Sequence, residues 1–430
     1  MEKSVYFSEI SVQVEGAMKL PRMAKIRQHF HGPRVEHIGE AVKQELSRDG
    51  IRQAVKPGER IALTVGSRGI ANIAEIIRAV GVQLTAWGAK PFIVPAMGSH
   101  GGATAEGQLQ VLREYGITEE AMNMPILSSM DVVQIAIIEP GIPIYIDRHA
   151  YEADGIIVIG RIKPHTDFKG PIESGLMKML AIGLGKHKGA STLHAEGFDT
   201  FHELVPRAGQ ALLDNASVRF GLAILENARE ETAELVAVPS AEIAATEAVL
   251  LARAKSYMPK LPAEQIDVLV VGEIGKDMSG AGMDPNITGR FATAGTVEGA
   301  PQVTRIVVLD LTEKTHGNAV GIGFADVTTR RCANKIDLAK TYANSITSTV
   351  LAGARIPVVM GSDREAIVTA LMCCNRVQPE NARIIWIHNT LELHEMYVSE
   401  ASLDEVLASG SVELVSGPGE WAFDEGGNLV

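Results

Sequence analysis

His165, Lys178 and His194 fall within one glycine-rich stretch that follows an apolar run, Ile156 to Gly197, IIVIGRIKPHTDFKGPIESGLMKMLAIGLGKHKGASTLHAEG. Each residue type has chemistry to offer there. An imidazole near its pKa takes up and returns a proton at neutral pH. A lysine amine can be joined covalently to a cofactor, and a second imidazole can hold a borderline metal such as nickel. Taken singly, the same residues have plainer uses. A lysine between Met177 and Met179 snorkels from a partly apolar helix, and a lone histidine is more often hydrogen-bonded than metal-bound. Lys186, His187 and Lys188 read as facing solvent or a phosphate, with His187 the rival for a metal.

These side chains need a frame, and the hydrophobic pattern supplies one. Apolar strands are expected at 60–66, 91–96, 134–138, 142–146 and 155–160, and an apolar periodicity from Ile70 to Gly88 predicts a helix. Strand, helix, strand at these lengths gives βαβ units and a mostly parallel sheet. Ligands bind such sheets at the carboxyl ends of their strands. Two polar loops fall there, Ser67-Arg68-Gly69 and Gly98-Ser99-His100-Gly101-Gly102. Glycine-rich backbone with one guanidinium suits an anion such as a nucleotide phosphate, although an arginine in such a turn also serves as a surface ion-pair partner. His100 either meets a ligand or caps the helix beginning near Thr104.

A helix over about 240–256 runs into Pro259 and Pro262, and a new strand follows at 266–272. This places a boundary near 262, dividing residues 1–262 from 263–430. Later strands are expected at 304–309 and 383–387. After the 266–272 strand comes a second polar loop, Gly272 to Arg290, in which Lys276 and Arg290 suit a carboxylate and Asp284 and Asn286 suit hydroxyls. A structural turn is the plainer alternative.

Composition narrows the class. The 430 residues, 46% hydrophobic and 21% charged, are ordinary for a soluble α/β protein of two or three domains. A net charge of −12 argues against nucleic acid or an anionic membrane as the general partner. Cys332, Cys373 and Cys374 form no CxxC, so no zinc ribbon or disulfide framework is indicated. The start lacks a signal-like apolar run and no stretch is long enough to span a bilayer, so a cytoplasmic protein is expected. No strand leads into GxGxxG, which disfavours an ordinary dinucleotide dehydrogenase.

Between residues 60 and 200 the pattern resembles the nickel-pincer lactate racemases. The match rests on Ser174-Gly175-Leu176-Met177-Lys178, on the turn Ile182-Gly183-Leu184-Gly185, on His194 sixteen residues after the lysine, and on Lys163-Pro164-His165. Gly141 to Ile144, Glu152-Ala153-Asp154, the Arg68 loop and the His100 loop extend it. By resemblance, Lys178 anchors a nickel-pincer nucleotide, a pyridinium mononucleotide carrying nickel on a ring carbon and two sulfurs. The resemblance gives nickel its last ligand in His194 and makes His165 one catalytic base. Ser67, Arg68, Gly69, Ser174 and Gly175 then cradle the nucleotide. One departure bears on the chemistry: Ser128-Ser129-Met130-Asp131 stands where the family carries a His-Asp pair, and a thioether is no general base. His100 or Asp131 is left for the opposite face.

The resemblance implies a two-domain α/β enzyme, an N-terminal Rossmann-like sheet and a smaller C-terminal α/β domain with the site in the cleft. It would racemise or epimerise a small 2-hydroxy acid, for which the polar Lys276–Arg290 loop favours a sugar acid, and would depend on cofactor-synthesis enzymes as partners. The alternatives are a redox isomerase using the same cofactor and a non-catalytic nucleotide or nickel-cofactor binding protein.

Overall fold

A computed structural model describes residues 18–67, 69–291 and 299–430, which form two compact units. The first is His31–Met258. The second joins residues 18–30 to Pro259–Val430, so the chain passes between units twice, after Phe30 and after Met258.

The His31–Met258 unit is built on a five-stranded sheet in the order Lys90–Pro95, Arg60–Val65, Gly155–Arg161, Val218–Glu226, Thr232–Pro239. The first four strands are parallel and the last is antiparallel. Side chains alternate across the pleat, and here both faces are buried. Ile156, Val158, Ala223 and Leu225 pack on one side with the helices Phe201–Asn215 and Ile243–Tyr257. Ile157, Ile159, Leu222 and Ile224 pack on the other with Ile38–Leu46 and Ile73–Ala86. Two covered faces explain why the strands read as continuous apolar runs rather than alternating ones.

Two expectations need adjusting. The segments expected as strands at 134–138 and 142–146 do pair, but with each other, as an antiparallel hairpin of Val132–Ile138 and Ile142–Asp147 apart from the main sheet. The helix expected from Ile70 starts only at Ile73, because Asn72 sits in the left-handed region at φ 58° and spends its amide on Thr232 Oγ1 at 3.0 Å.

The second unit carries an eight-stranded sheet. Its strands Gln265–Ile274, Gln302–Leu311, Val327–Thr329, Val358–Met360 and Ile384–Ile387 are parallel. Glu395–Ser399, Met23–Gln28 and Val412–Gly419 add antiparallel neighbours. Among the described residues no helix is long and apolar enough to cross a membrane.

Candidate active site

The strand Gly155–Arg161 delivers the chain to the site, and a closed loop follows it. Lys163 N–H donates to Ser174 O at 2.8 Å and Ser174 N–H returns to Lys163 O at 3.3 Å, pinching residues 163–174 into a ring that presents His165. Its interior is held by Glu173, whose side chain is fully buried. This carboxylate accepts the His165 N–H at 2.7 Å, pairs with Lys255 at 2.7 Å and reaches Lys169 at 3.4 Å. A buried charge survives only when paired and hydrogen-bonded, and Glu173 has both.

The His165 ring is only 11% exposed and lies 4.3 Å from Phe168 and 5.9 Å from Phe198, centroid to centroid. Its Nδ1 accepts the Asp167 N–H at 3.0 Å. A neutral imidazole donates from one nitrogen and accepts on the other, so neutral His165 carries its proton on Nε2.

His194 ends the helix Lys186–His194 and packs against the same aromatic cluster, 5.5 Å from Phe198 and 5.2 Å from Phe201. Its ring is arranged the other way round. Nδ1 lies 2.7 Å from Ala190 O, a carbonyl that only accepts, so Nδ1 carries the proton and Nε2 keeps its lone pair. Burial lowers the His194 pKa, the bond to Ala190 opposes this, and the nearby Lys178 ammonium lowers it further. The structure thus sets His165 and His194 on one phenylalanine cluster, with the Asp167 amide on His165 and the Lys178 ammonium near His194.

Lys178 closes the short helix Leu176–Lys178, which passes into a π turn over Met179–Gly183. Such wide turns recur at functional sites. Here Gly183 permits it: a Cβ there would stand 2.7 Å from Ala96 O, and Gly98 N–H donates to Gly183 O at 3.1 Å.

A residue that sequence reasoning missed sits at the start of that helix. Glu247 Oε2 accepts the Met177 N–H at 2.8 Å, while Oε1 is buried without a hydrogen-bond partner. Gly175 is glycine because a Cβ would collide with this carboxylate. Burial pushes the Glu247 pKa up to about 7, against the pull of the Met177 and Leu176 amides. The native state therefore holds this proton more tightly than the unfolded chain, whose value is the ordinary 4.5. Stability is fully present below that value and falls as pH rises through about 7, by roughly 3 kcal/mol in all. Glu247→Gln keeps an oxygen for Met177 and removes the titration. Urea unfolding between about pH 5 and 8 is expected to show the slope in the wild type and its loss in the variant.

The two loops at the strand ends meet. Ser67 Oγ is hydrogen-bonded to His100 Nδ1, and Tyr115 OH donates to Ser67 O at 2.7 Å. His100 is exposed, and Thr104 rather than His100 caps the helix Ala105–Glu114, accepting the Gly107 N–H at 3.0 Å. Gly69 is exposed beside Ser67, while Arg68 lies outside the described residues. Asp131 is exposed and enters the hairpin, its carbonyl accepting the Arg148 N–H at 3.0 Å.

Lys186 departs from expectation. Rather than facing solvent or a phosphate it is 0% exposed, 3.2 Å from Asp147 Oδ2. Its neighbours His187 and Lys188 are exposed. Nothing in the run Lys186-His187-Lys188 marks one of the three for burial; the partner lies 39 positions back along the chain.

In the second unit the loop residues separate. Lys276 Nζ donates to Gly280 O at 2.5 Å near the carboxyl end of Gln265–Ile274, and Asp284 Oδ1 accepts the Asn286 N–H at 2.9 Å. The Arg290 guanidinium bonds Asp326, Phe324 O and, at 3.1 Å, Thr304 O. Thr304 lies near the start of the strand Gln302–Leu311, whose far end lies near Lys276 N–H and its acceptor Thr315. At about 3.3 Å per residue that separates Arg290 from Lys276 by roughly 25 Å. Among the described residues no three His, Cys, Asp or Glu side chains form a metal cage.

Residues 9–200, a little under half of the chain, match the family model of the lactate racemase N-terminal domain. That segment is similar to the lactate racemase N-terminal domain. The matched span takes in the 163–174 loop, Lys178 and His194. Among solved structures, the lactate racemase apoprotein from Thermoanaerobacterium thermosaccharolyticum is similar, at 13% identity over 81% of this chain and 91% of that one, with a TM-score of 0.45. No curated protein sequence matches significantly.

Proposed function

We propose that the protein is a racemase or epimerase of a 2-hydroxy acid that works with a lysine-linked nickel-pincer nucleotide. The observation that carries this is the opposed protonation of two histidines on one aromatic cluster beside Lys178. His194 offers a lone pair on Nε2 while its other nitrogen is held by a backbone carbonyl, the arrangement a ligating histidine adopts. One imidazole without a cage suits a metal that arrives within its own organic ligand. The donor set therefore fits: Lys178 would hold the cofactor covalently, His194 would ligate nickel, and Ser67, Arg68, Gly69, Ser174 and Gly175 would line the nucleotide. When bound, the group supplies a reversible acceptor for the hydride of the carbinol carbon.

The protein's own residues handle the protons. His165 would serve one face, taking a proton as the neutral imidazole and returning it as the imidazolium, with its ring held by the Asp167 amide. Inversion needs a second group on the opposite face, and His100, oriented by Ser67, is better placed chemically than Asp131, whose carboxylate is exposed and would need a raised pKa. Lys276, Asp284 and Asn286 are proposed to recognise a polyhydroxy acid. Arg290 is spent on the amino edge of its sheet and is left out of that set.

The test is stereochemical. Protein co-expressed with cofactor-synthesis enzymes is incubated with single enantiomers or epimers of 2-hydroxy acids and sugar acids, and the products are separated on a chiral column. Interconversion from both directions is expected. A product oxidised at one carbon and reduced at another would instead mark the redox isomerase.

A further inference from the structure

The buried ammonium of Lys186 joins three elements that lead to the candidate groups His100, Asp131 and His194. Its Nζ donates to Pro95 O at 2.5 Å, at the end of the strand Lys90–Pro95, and to Gln108 Oε1 at 3.0 Å, and it lies 3.2 Å from Asp147 Oδ2. Gln108 is also fully buried and passes the contact on, donating from Nε2 to Gly98 O at 3.0 Å and His100 O at 3.3 Å. Asp147 ends the hairpin opposite Val132, the residue after Asp131, and its N–H donates to Leu184 O at 2.7 Å. Lys186 itself begins the helix that ends in His194.

We propose that Lys186 is the positioning residue of the site, a single buried cation that sets the His100 loop, the Asp131 hairpin and the His194 helix in register with one another. The inference rests on the reading of those three residues as site groups. Two features separate it from ordinary core packing. Lys186 holds a left-handed backbone at φ 54°, a conformation that L side chains rarely adopt, so the chain accepts strain to put a lysine there. Stability alone also gives little reason for the pair, since well-packed apolar residues of similar volume often replace a buried ion pair without loss of stability. Burial moves Lys186 and Asp147 toward their neutral forms, and their mutual attraction opposes it.

The test uses the full chain with 15N-labelled histidine, read by NMR of the ring nitrogens without cofactor, and the loaded enzyme assayed in parallel. Lys186→Met/Asp147→Leu removes the pair while keeping the space filled. Gln108→Leu keeps the pair and cuts only the relay to the His100 loop. Both variants are expected to fold, to displace the His100 ring signals, and to lower kcat about a hundredfold with KM changed less than threefold. Wild-type His100 signals in a folded double variant and in Gln108→Leu would overturn the inference. If the double variant does not fold, Gln108→Leu alone decides. Since the ring signals are read without cofactor, displaced signals in a protein that racemises nothing would sustain the positioning role and sink the functional reading instead.

Discussion

His165→Gln is expected to lower kcat for 2-hydroxy acid inversion by a factor of about 10² to 10⁴ in both directions, the usual range for a lost general acid–base group. The fold should tolerate it. Glu173 is held by the backbone N–H of residue 165, which glutamine retains, and by Lys169 and Lys255. What glutamine lacks is a nitrogen that can release and regain a proton. If His165 works as a proton carrier, KM should change far less than kcat, because binding is drawn from other groups. Steady-state kinetics on both enantiomers, with circular dichroism to verify folding, reads this directly. An equal fall in affinity with kcat preserved would make His165 a binding residue. A parallel His100→Gln variant should produce a comparable fall if it serves the opposite face.

Much of this site is legible in the sequence, and the reason is local. His165, Lys178 and His194 follow a single strand within 40 residues, so the strand's direction and a few glycines fix their neighbourhood. The strands themselves were readable because both faces of the sheet are buried, which leaves unbroken apolar runs such as Ile156 to Ile159. Illegible were the contacts that close over long separations. Glu247 lies 70 positions from the Met177 amide that it caps, and within its own helix it looks like any surface glutamate. Lys186 opens the run Lys186-His187-Lys188, whose other two members are exposed, and its partners Pro95, Gln108 and Asp147 come from three other elements. Gly175 and Gly183 could have given a hint, since a glycine beside a functional segment often marks a close approach. Periodicity predicts both strands of the hairpin Val132–Ile138 and Ile142–Asp147 but does not say which neighbour a strand will choose.

The second large effect is expected at the cofactor itself, where Lys178→Ala and His194→Ala should separate covalent attachment from metal retention. Lys178 is the amine placed on the π-turn segment, and His194 presents Nε2 from the same aromatic cluster. Losing the lysine removes the covalent link outright, whereas losing the imidazole leaves the link and costs nickel one ligand. Both side chains are half-buried rather than part of the core, so both variants should remain folded. Intact-protein mass spectrometry with nickel analysis, on wild type and both variants co-expressed with cofactor-synthesis enzymes, tests the account most directly. The account predicts a mass adduct and nickel in the wild type, no adduct in Lys178→Ala, and an adduct with nickel lost in His194→Ala. No adduct and no nickel in the wild type, alongside a lactate racemase control that loads normally, would contradict it.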